Sequence, residues 1–186
     1  MRVDAEQNRE RILAAARHVL AEAGPGVPMT RIARRAGVAV ATLYRRFPSR
    51  DDLVAGAYAN QWSSCSDSHA AALTDPDPGR ALQALIHRLC AYQVHDKGFT
   101  AAYVSALITG RGLDQQRADS ERVIGTLLAR AQAAGTFRAD IERADLIVLL
   151  AGNAGVVASA GPGDAASASR RYVAHMLRSF VTEATR

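Results

Sequence analysis

From Asn8 to Ala23 the apolar residues Ile12, Leu13, Ala16, Val19, Leu20 and Ala23 return every three or four positions, the stripe of an amphipathic helix. Gly24-Pro25-Gly26 stops it. A second, short helix is predicted from Pro28 to Ala36, with Met29, Ile32 and Ala33 turned inward. Gly37 supplies the left-handed backbone that ends it, and Val38 plugs the core as the chain turns. A third helix of about two turns runs from Val40 to Phe47 with Leu43 and Phe47 inward, and Pro48 closes it. Ser49-Arg50-Asp51-Asp52 has the form of a capping box, so a long fourth helix is predicted from Arg50 towards Ser68. Breaks at Asp75-Pro76-Asp77-Pro78-Gly79, Gly110-Arg111-Gly112, Gly135-Thr136 and Gly161-Pro162-Gly163 separate further apolar-periodic segments. The expected fold class is all-α, with about nine helices and no competing strand pattern.

Two short helices joined by a glycine-containing turn are the ingredients of a helix-turn-helix, whose second helix enters the DNA major groove. With Leu43 and Phe47 inward, Val40, Ala41, Thr42, Tyr44, Arg45 and Arg46 face outward or sideways. The hydroxyls of Thr42 and Tyr44 suit phosphate oxygens, and Val40 and Ala41 suit apolar contact with a thymine methyl. Arg45 and Arg46 can hold phosphates or read guanine. Charge agrees with this placement. The 186-residue chain has a net charge of +5, yet residues 1–50 carry 10 Arg against 4 acids, while the rest carries 13 basic and 14 acidic groups. A basic head on a near-neutral body is suited to a polyanion at one end only.

The ordered string from Ile32 to Arg50, through Ala33-Arg34-Arg35-Ala36-Gly37-Val38 and Thr42-Leu43-Tyr44-Arg45-Arg46-Phe47-Pro48, resembles the DNA-binding signature of TetR-family transcriptional regulators. The resemblance covers about the first 60 residues as a linear motif; beyond them only helical layout and length agree. It implies a DNA-binding domain over residues 1–50 and an effector-binding and dimerisation domain over 51–186. It also implies that Arg50, where the family usually has Lys, holds a phosphate at the start of the fourth helix. Thr30 and Arg31 match positions that touch backbone or bases. Three departures stand out: Pro28 where a Thr or Ser cap is frequent, Ala39-Val40-Ala41 in place of Ser-Lys-Gly, and Arg46 in place of His. These changes retune the operator sequence.

By the same resemblance the last two helices dimerise. Leu146, Leu149 and Leu150 precede the small residues Ala151, Gly152, Ala154 and Gly155, and Tyr172, Val173, Met176, Leu177, Phe180 and Val181 form a broad apolar face on the final helix. A homodimer then reads a pseudo-palindromic double-stranded operator. The middle helices, from about Arg80 to Ala134, would form a cavity for a largely apolar small-molecule effector. Trp62, Tyr92, His95, Phe99 and Tyr103 are its candidate lining, with plain core packing as the alternative.

Other chemistries find little support. Cys65 and Cys90 form no CxxC pair and cannot build a disulfide framework, which points to a reducing compartment, the cytoplasm. Cys65 with His69 and His87 with Cys90 stand four and three apart, so a metal or redox sensor is conceivable, although ordinary packing explains them better. The histidines lack a nucleophile motif, HExxH or a phosphate loop around them, so neither an enzyme nor a cofactor is expected. The longest apolar run, Leu146 to Ala160, falls short of the roughly 20 residues of a membrane span, and residues 1–10 carry no signal-like stretch. The reading is a ligand-responsive repressor, with an activator of the same fold as the alternative.

Overall fold

The periodic stripe of the first helix packs as its spacing predicts. In the computed structural model Ile12, Leu13, Ala16, Val19 and Leu20 are all buried along α1 (Arg2–Ala23), which begins ahead of Asn8. The structure describes residues 2–161 and 163–182, with side chains from residue 6 onward; Met1, residues 183–186 and Pro162 of the predicted break at 161–163 lie outside the described residues.

Helices α2 (Met29–Ala36) and α3 (Val40–Arg46) follow, with Pro28 as a cap that contributes no side-chain hydrogen bond. Gly37 adopts φ 65° and ψ 36°, the left-handed geometry expected of it, and Leu43 and Phe47 are buried. The Arg11 guanidinium donates to the Ala36 carbonyl at 2.9 Å and closes the same helix end. Ser49 forms the predicted capping box, its hydroxyl accepting from Asp52 N–H and its own N–H donating to the Asp52 carboxylate, both at 3.0 Å.

The predicted long fourth helix is two helices, α4 (Arg50–Ala57) and α5 (Ala59–Thr74), which makes ten rather than nine among the described residues. The break falls at Tyr58, whose backbone leaves helical geometry at φ −115° and ψ 26°. Its ring is buried edge-on against Phe99 at 5.6 Å, and its hydroxyl occupies the space that a side chain at Gly98 would fill. Arg17 donates to the Ala57 carbonyl at 3.1 Å and caps the interrupted end.

The rest of the chain forms α6 (Pro78–His95), α7 (Lys97–Thr109), α8 (Asp114–Ala133), α9 (Arg143–Ser159) and α10 (Ala165–Phe180). Asp77 and Asp96 cap α6 and α7 through the amides of Arg80 and Phe99. Helix α6 is the axis, packing against α5, α7, α8, α9 and α10 through Leu82, Leu85, Ile86 and Leu89. Asn153, inside the apolar run of α9, is fully buried and donates to the Gln93 side chain at 2.7 Å. A single antiparallel bridge joins Phe137 to Val181 and fastens the α8–α9 connection to the end of α10. Because α1 packs on α2, α4 and α7, the helix that supports the head is also a wall of the body. Among the described residues no helix is long and apolar enough to cross a membrane.

Candidate DNA interface and effector site

With Leu43 and Phe47 consumed by the core, seven-residue α3 has one free side. Val40 is 37% and Tyr44 46% exposed, and Ala41, Arg45 and Arg46 are exposed beside them, with Thr42 half-buried. Four large hydrophobic side chains stand exposed among the described residues, and two of them share this short surface. An apolar contact bracketed by guanidinium groups suits a base edge flanked by phosphates. Thr30 and Arg31 are exposed at the start of α2, where Arg31 lies 3.8 Å from the Glu22 carboxylate.

Arg50 departs from its predicted role. Its guanidinium donates to the carbonyl oxygens of Pro25 and Val27, so it braces the loop between α1 and α2 instead of standing free for a phosphate. Arg11, Arg17 and Arg50 thus all spend donors on backbone carbonyls. The linear motif marks a cation at position 50 but carries no sign of the loop within its reach.

The next residue forms a joint that sequence reading missed. Asp51 accepts the Leu113 N–H at 3.1 Å, tying the first turn of α4 to the α7–α8 turn 62 residues away. Leu113 is buried and holds φ 48°, the one left-handed non-glycine among the described residues. A side chain at Gly112 would meet the Asp51 carboxylate at 3.1 Å. Nothing local in either segment announces this pairing.

Of the predicted effector residues the structure gathers three. Trp62 packs edge-on against Phe99 at 4.7 Å and against Tyr103 at 5.6 Å, and Phe99 and Tyr103 stack at 5.8 Å. Trp62 also lines a cleft of about 500 Å³ between α5 and α8, with Cys65, His69, Gln116, Asp119, Ser120 and Arg122 among its walls. Tyr92 and His95 do not join this group. Tyr92 is half-buried on α6, and His95 is exposed beside a separate hollow of about 130 Å³ that Cys90, Ser169 and Val173 also line. The α8 residues went unread because Ser120 merely interrupts the stripe that continues through Val123 and Leu127.

The cysteine and histidine pairs separate likewise: Cys65 and His69 line the first cleft, His87 and Cys90 the second hollow. Burial pushes the thiols up to about 11 and about 12, so both stay protonated near neutrality. Burial also lowers the pKa of His69, against the pull of Asp119 and with the help of Arg122. Its Nε2 is buried without a hydrogen-bond partner among the described residues.

Six of the expected dimer residues lie inside the single chain. Leu146, Leu149, Leu150, Val173, Leu177 and Phe180 are buried inside the single chain, where their stripes pack α9 and α10 onto α6 and onto each other. Gly152 gives room to the Tyr172 hydroxyl, and Tyr172 and Met176 are half-buried. The outer side of α9 keeps Val148, 62% exposed, near half-buried Ala151 and exposed Gly155.

An all-helical chain with a helix-turn-helix head and a cleft-bearing body is the architecture of a one-component regulator. Residues 12–57 match the family model of bacterial regulatory proteins of the tetR family, and residues 77–178 match that of the C-terminal domain of SbtR-like transcriptional regulators. The second match alone takes in more than half of the chain, and the chain belongs to the TetR family. It is 30% identical over 132 residues to the HTH-type transcriptional repressor KstR of Mycobacterium tuberculosis, a stretch covering 69% of this chain and 60% of that relative's length. The crystal structure of the TetR regulator SCO0520 from Streptomyces coelicolor shares 32% identity and a TM-score of 0.57, covering 95% of this chain and 99% of that one. The ketosteroid transcriptional regulator KstR2 of Mycobacterium tuberculosis, at 19% identity, shares the fold with a TM-score of 0.65, covering 94% and 95% of the two chains.

Proposed function

We propose that this protein is a ligand-responsive transcriptional repressor that binds a pseudo-palindromic operator as a homodimer and leaves it when a small molecule occupies the body. The observation that carries this reading is the outward side of α3, where Val40, Ala41, Tyr44, Arg45 and Arg46 are exposed over a core of Leu43 and Phe47. Tyr44, Thr42 and the arginines bind the backbone, Val40 and Ala41 read base edges, and Thr30 and Arg31 hold the flank. The partner subunit packs on the Val148–Gly155 side of α9 and on the half-buried Tyr172 and Met176.

Release follows from the joint. A ligand that spreads α5 from α8 displaces the α7–α8 turn, and Asp51 passes that shift to the first turn of α4 and so to the spacing of the two heads. Linkage requires that the operator weaken ligand binding by the same factor. The test begins by selecting duplexes from a random pool with the purified protein. A recovered palindrome, bound by two chains with an affinity that falls steeply with salt, is the expected result. Recovery of no consensus, or one-to-one binding without symmetry, would overturn the reading.

A further inference from the structure

We propose, on the reading of the body as an effector domain, that the α5–α8 cleft takes an elongated, uncharged molecule carrying an oxygen function at each end, rather than a wholly apolar chain or an acid. Five of the seven buried side-chain polar atoms that lack partners among the described residues belong to α5, α7 and the joint between α4 and α5. They are the Tyr58 hydroxyl, Trp62 Nε1, His69 Nε2, the Thr100 hydroxyl and the Tyr103 hydroxyl. A buried donor or acceptor without a partner is costly, and two of these, at Trp62 and His69, belong to residues that line the cleft, where a ligand can supply the missing bonds.

The spacing sets the length. Trp62 and His69 stand seven residues apart on α5, about 10 Å along the axis, and both line the cleft. The α8 residues Gln116 and Arg122 line the same slot. A ligand lying along the slot has the Trp62 side chain at one end and the His69 side chain at the other, with Cys65 and Val123 giving apolar contact between them, and it reaches the withdrawn Trp62 Nε1 and His69 Nε2 by turning those rings toward the slot. His69 is 94% withdrawn from solvent, and burial favours its neutral form, so it can accept a proton from a hydroxyl in a hydrogen bond.

Charge excludes the acids. The cleft contains the carboxylates of Asp67 and Asp119 against the single guanidinium of Arg122, so a negatively charged ligand meets net repulsion. The aromatic layer of Trp62, Phe99 and Tyr103 beneath the slot favours a flat ring at that end.

Trp62 is the one tryptophan of the chain, so its emission reports the site directly. The probe is 4,4′-dihydroxybiphenyl, a rigid two-ring rod with a hydroxyl at each end, compared with biphenyl and with biphenyl-4-carboxylate. The full-length protein is titrated with each, without DNA. Saturable change of Trp62 emission by the diphenol, at least about tenfold tighter than by either control, is expected. His69→Phe, which keeps the volume, and Ser66→Leu, at the exposed rim, are each expected to weaken the diphenol about tenfold with native circular dichroism. No saturation by the diphenol, equal binding of biphenyl, tighter binding of the carboxylate, or indifference of both folded variants overturns the inference. Adding the selected duplex separates this from the broader reading. Diphenol binding without loss of the duplex leaves the cleft standing and sinks release by this class of ligand. Loss of the duplex with Trp62 silent and both variants unaffected sinks the cleft and leaves a ligand-released repressor.

Discussion

The head and the body use their buried space in opposite ways. In the head, small side chains and a few aliphatic ones, Leu43 above all, fill a core whose purpose is to leave Tyr44, Arg45 and Arg46 outside. Its chemistry is on the surface, and the polar groups it buries least are the ones it uses. In the body the cleft between α5 and α8 carries Asp67 and Asp119 against Arg122, and the polar groups of interest are inside, without partners among the described residues at Trp62 and His69. A surface that grips a polyanion can be rigid and solvated until it binds. A cavity that responds to a molecule must be incomplete without it. Stability in the head and a deficit in the body are therefore two requirements of one device.

The most severe way to break this contrast is to empty the head's core. Leu43 is fully buried, and Leu43→Ala should cost about 2–5 kcal/mol. Duplex binding is expected to disappear on warming while Trp62 emission still reports a native body. If emission and duplex binding are lost together at one temperature, α1 welds the two parts into one cooperative unit and the contrast is one of surface only.

A milder comparison sharpens the division among the head's arginines. Arg46→Ala removes an exposed cation and should lower the salt slope of duplex binding by about 1 while leaving the melting temperature nearly unchanged. Arg50→Ala removes the brace on Pro25 and Val27 and should do the reverse, losing about 1 kcal/mol of stability with the slope kept. Thermal melts and salt titrations of the two variants decide it. A slope that falls for Arg50→Ala would return that residue to the DNA-facing set.

How much of this was readable in the sequence follows the same division. The helix-turn-helix, the Gly37 stop, the capping box at Ser49 and the inward Leu43 and Phe47 depend on residues within a few turns of one another, and each formed as its spacing implied. The break at Tyr58 did not show, because it is imposed from Phe99 and Gly98 across the fold, and the local helical pattern continues through it. The apolar stripes of α9 and α10 were visible, but periodicity cannot say whether a stripe faces its own chain or another; here the leucines went to the inside. Grouping Trp62, Phe99 and Tyr103 was legible from their aromatic character. That Tyr92 and His95 lie apart from this group, and that Gln116, Asp119 and Ser120 share the cleft with Trp62, depends on which sides of α5, α6 and α8 meet.

The smallest effect tests the body's deficit without any ligand. Burial lowers the pKa of His69 below its ordinary value of 6.5, with Asp119 opposing and Arg122 assisting. The unfolded chain therefore takes up a proton at this site at a higher pH than the folded chain does. Below about pH 6.5 the unfolded state binds more protons, so the folded state loses stability as pH falls. Every carboxylate of the protein also contributes to acid destabilisation, which makes a single profile uninformative. His69→Gln keeps a polar, uncharged group at the position and leaves those other contributions in place. The difference between the two profiles isolates the imidazole, and the wild type should lose more melting temperature than the variant between about pH 7 and about pH 5. Parallel profiles would mean that His69 is as well solvated in the folded chain as in the unfolded one, and that the cleft wall is wetter than an unpaired Nε2 requires.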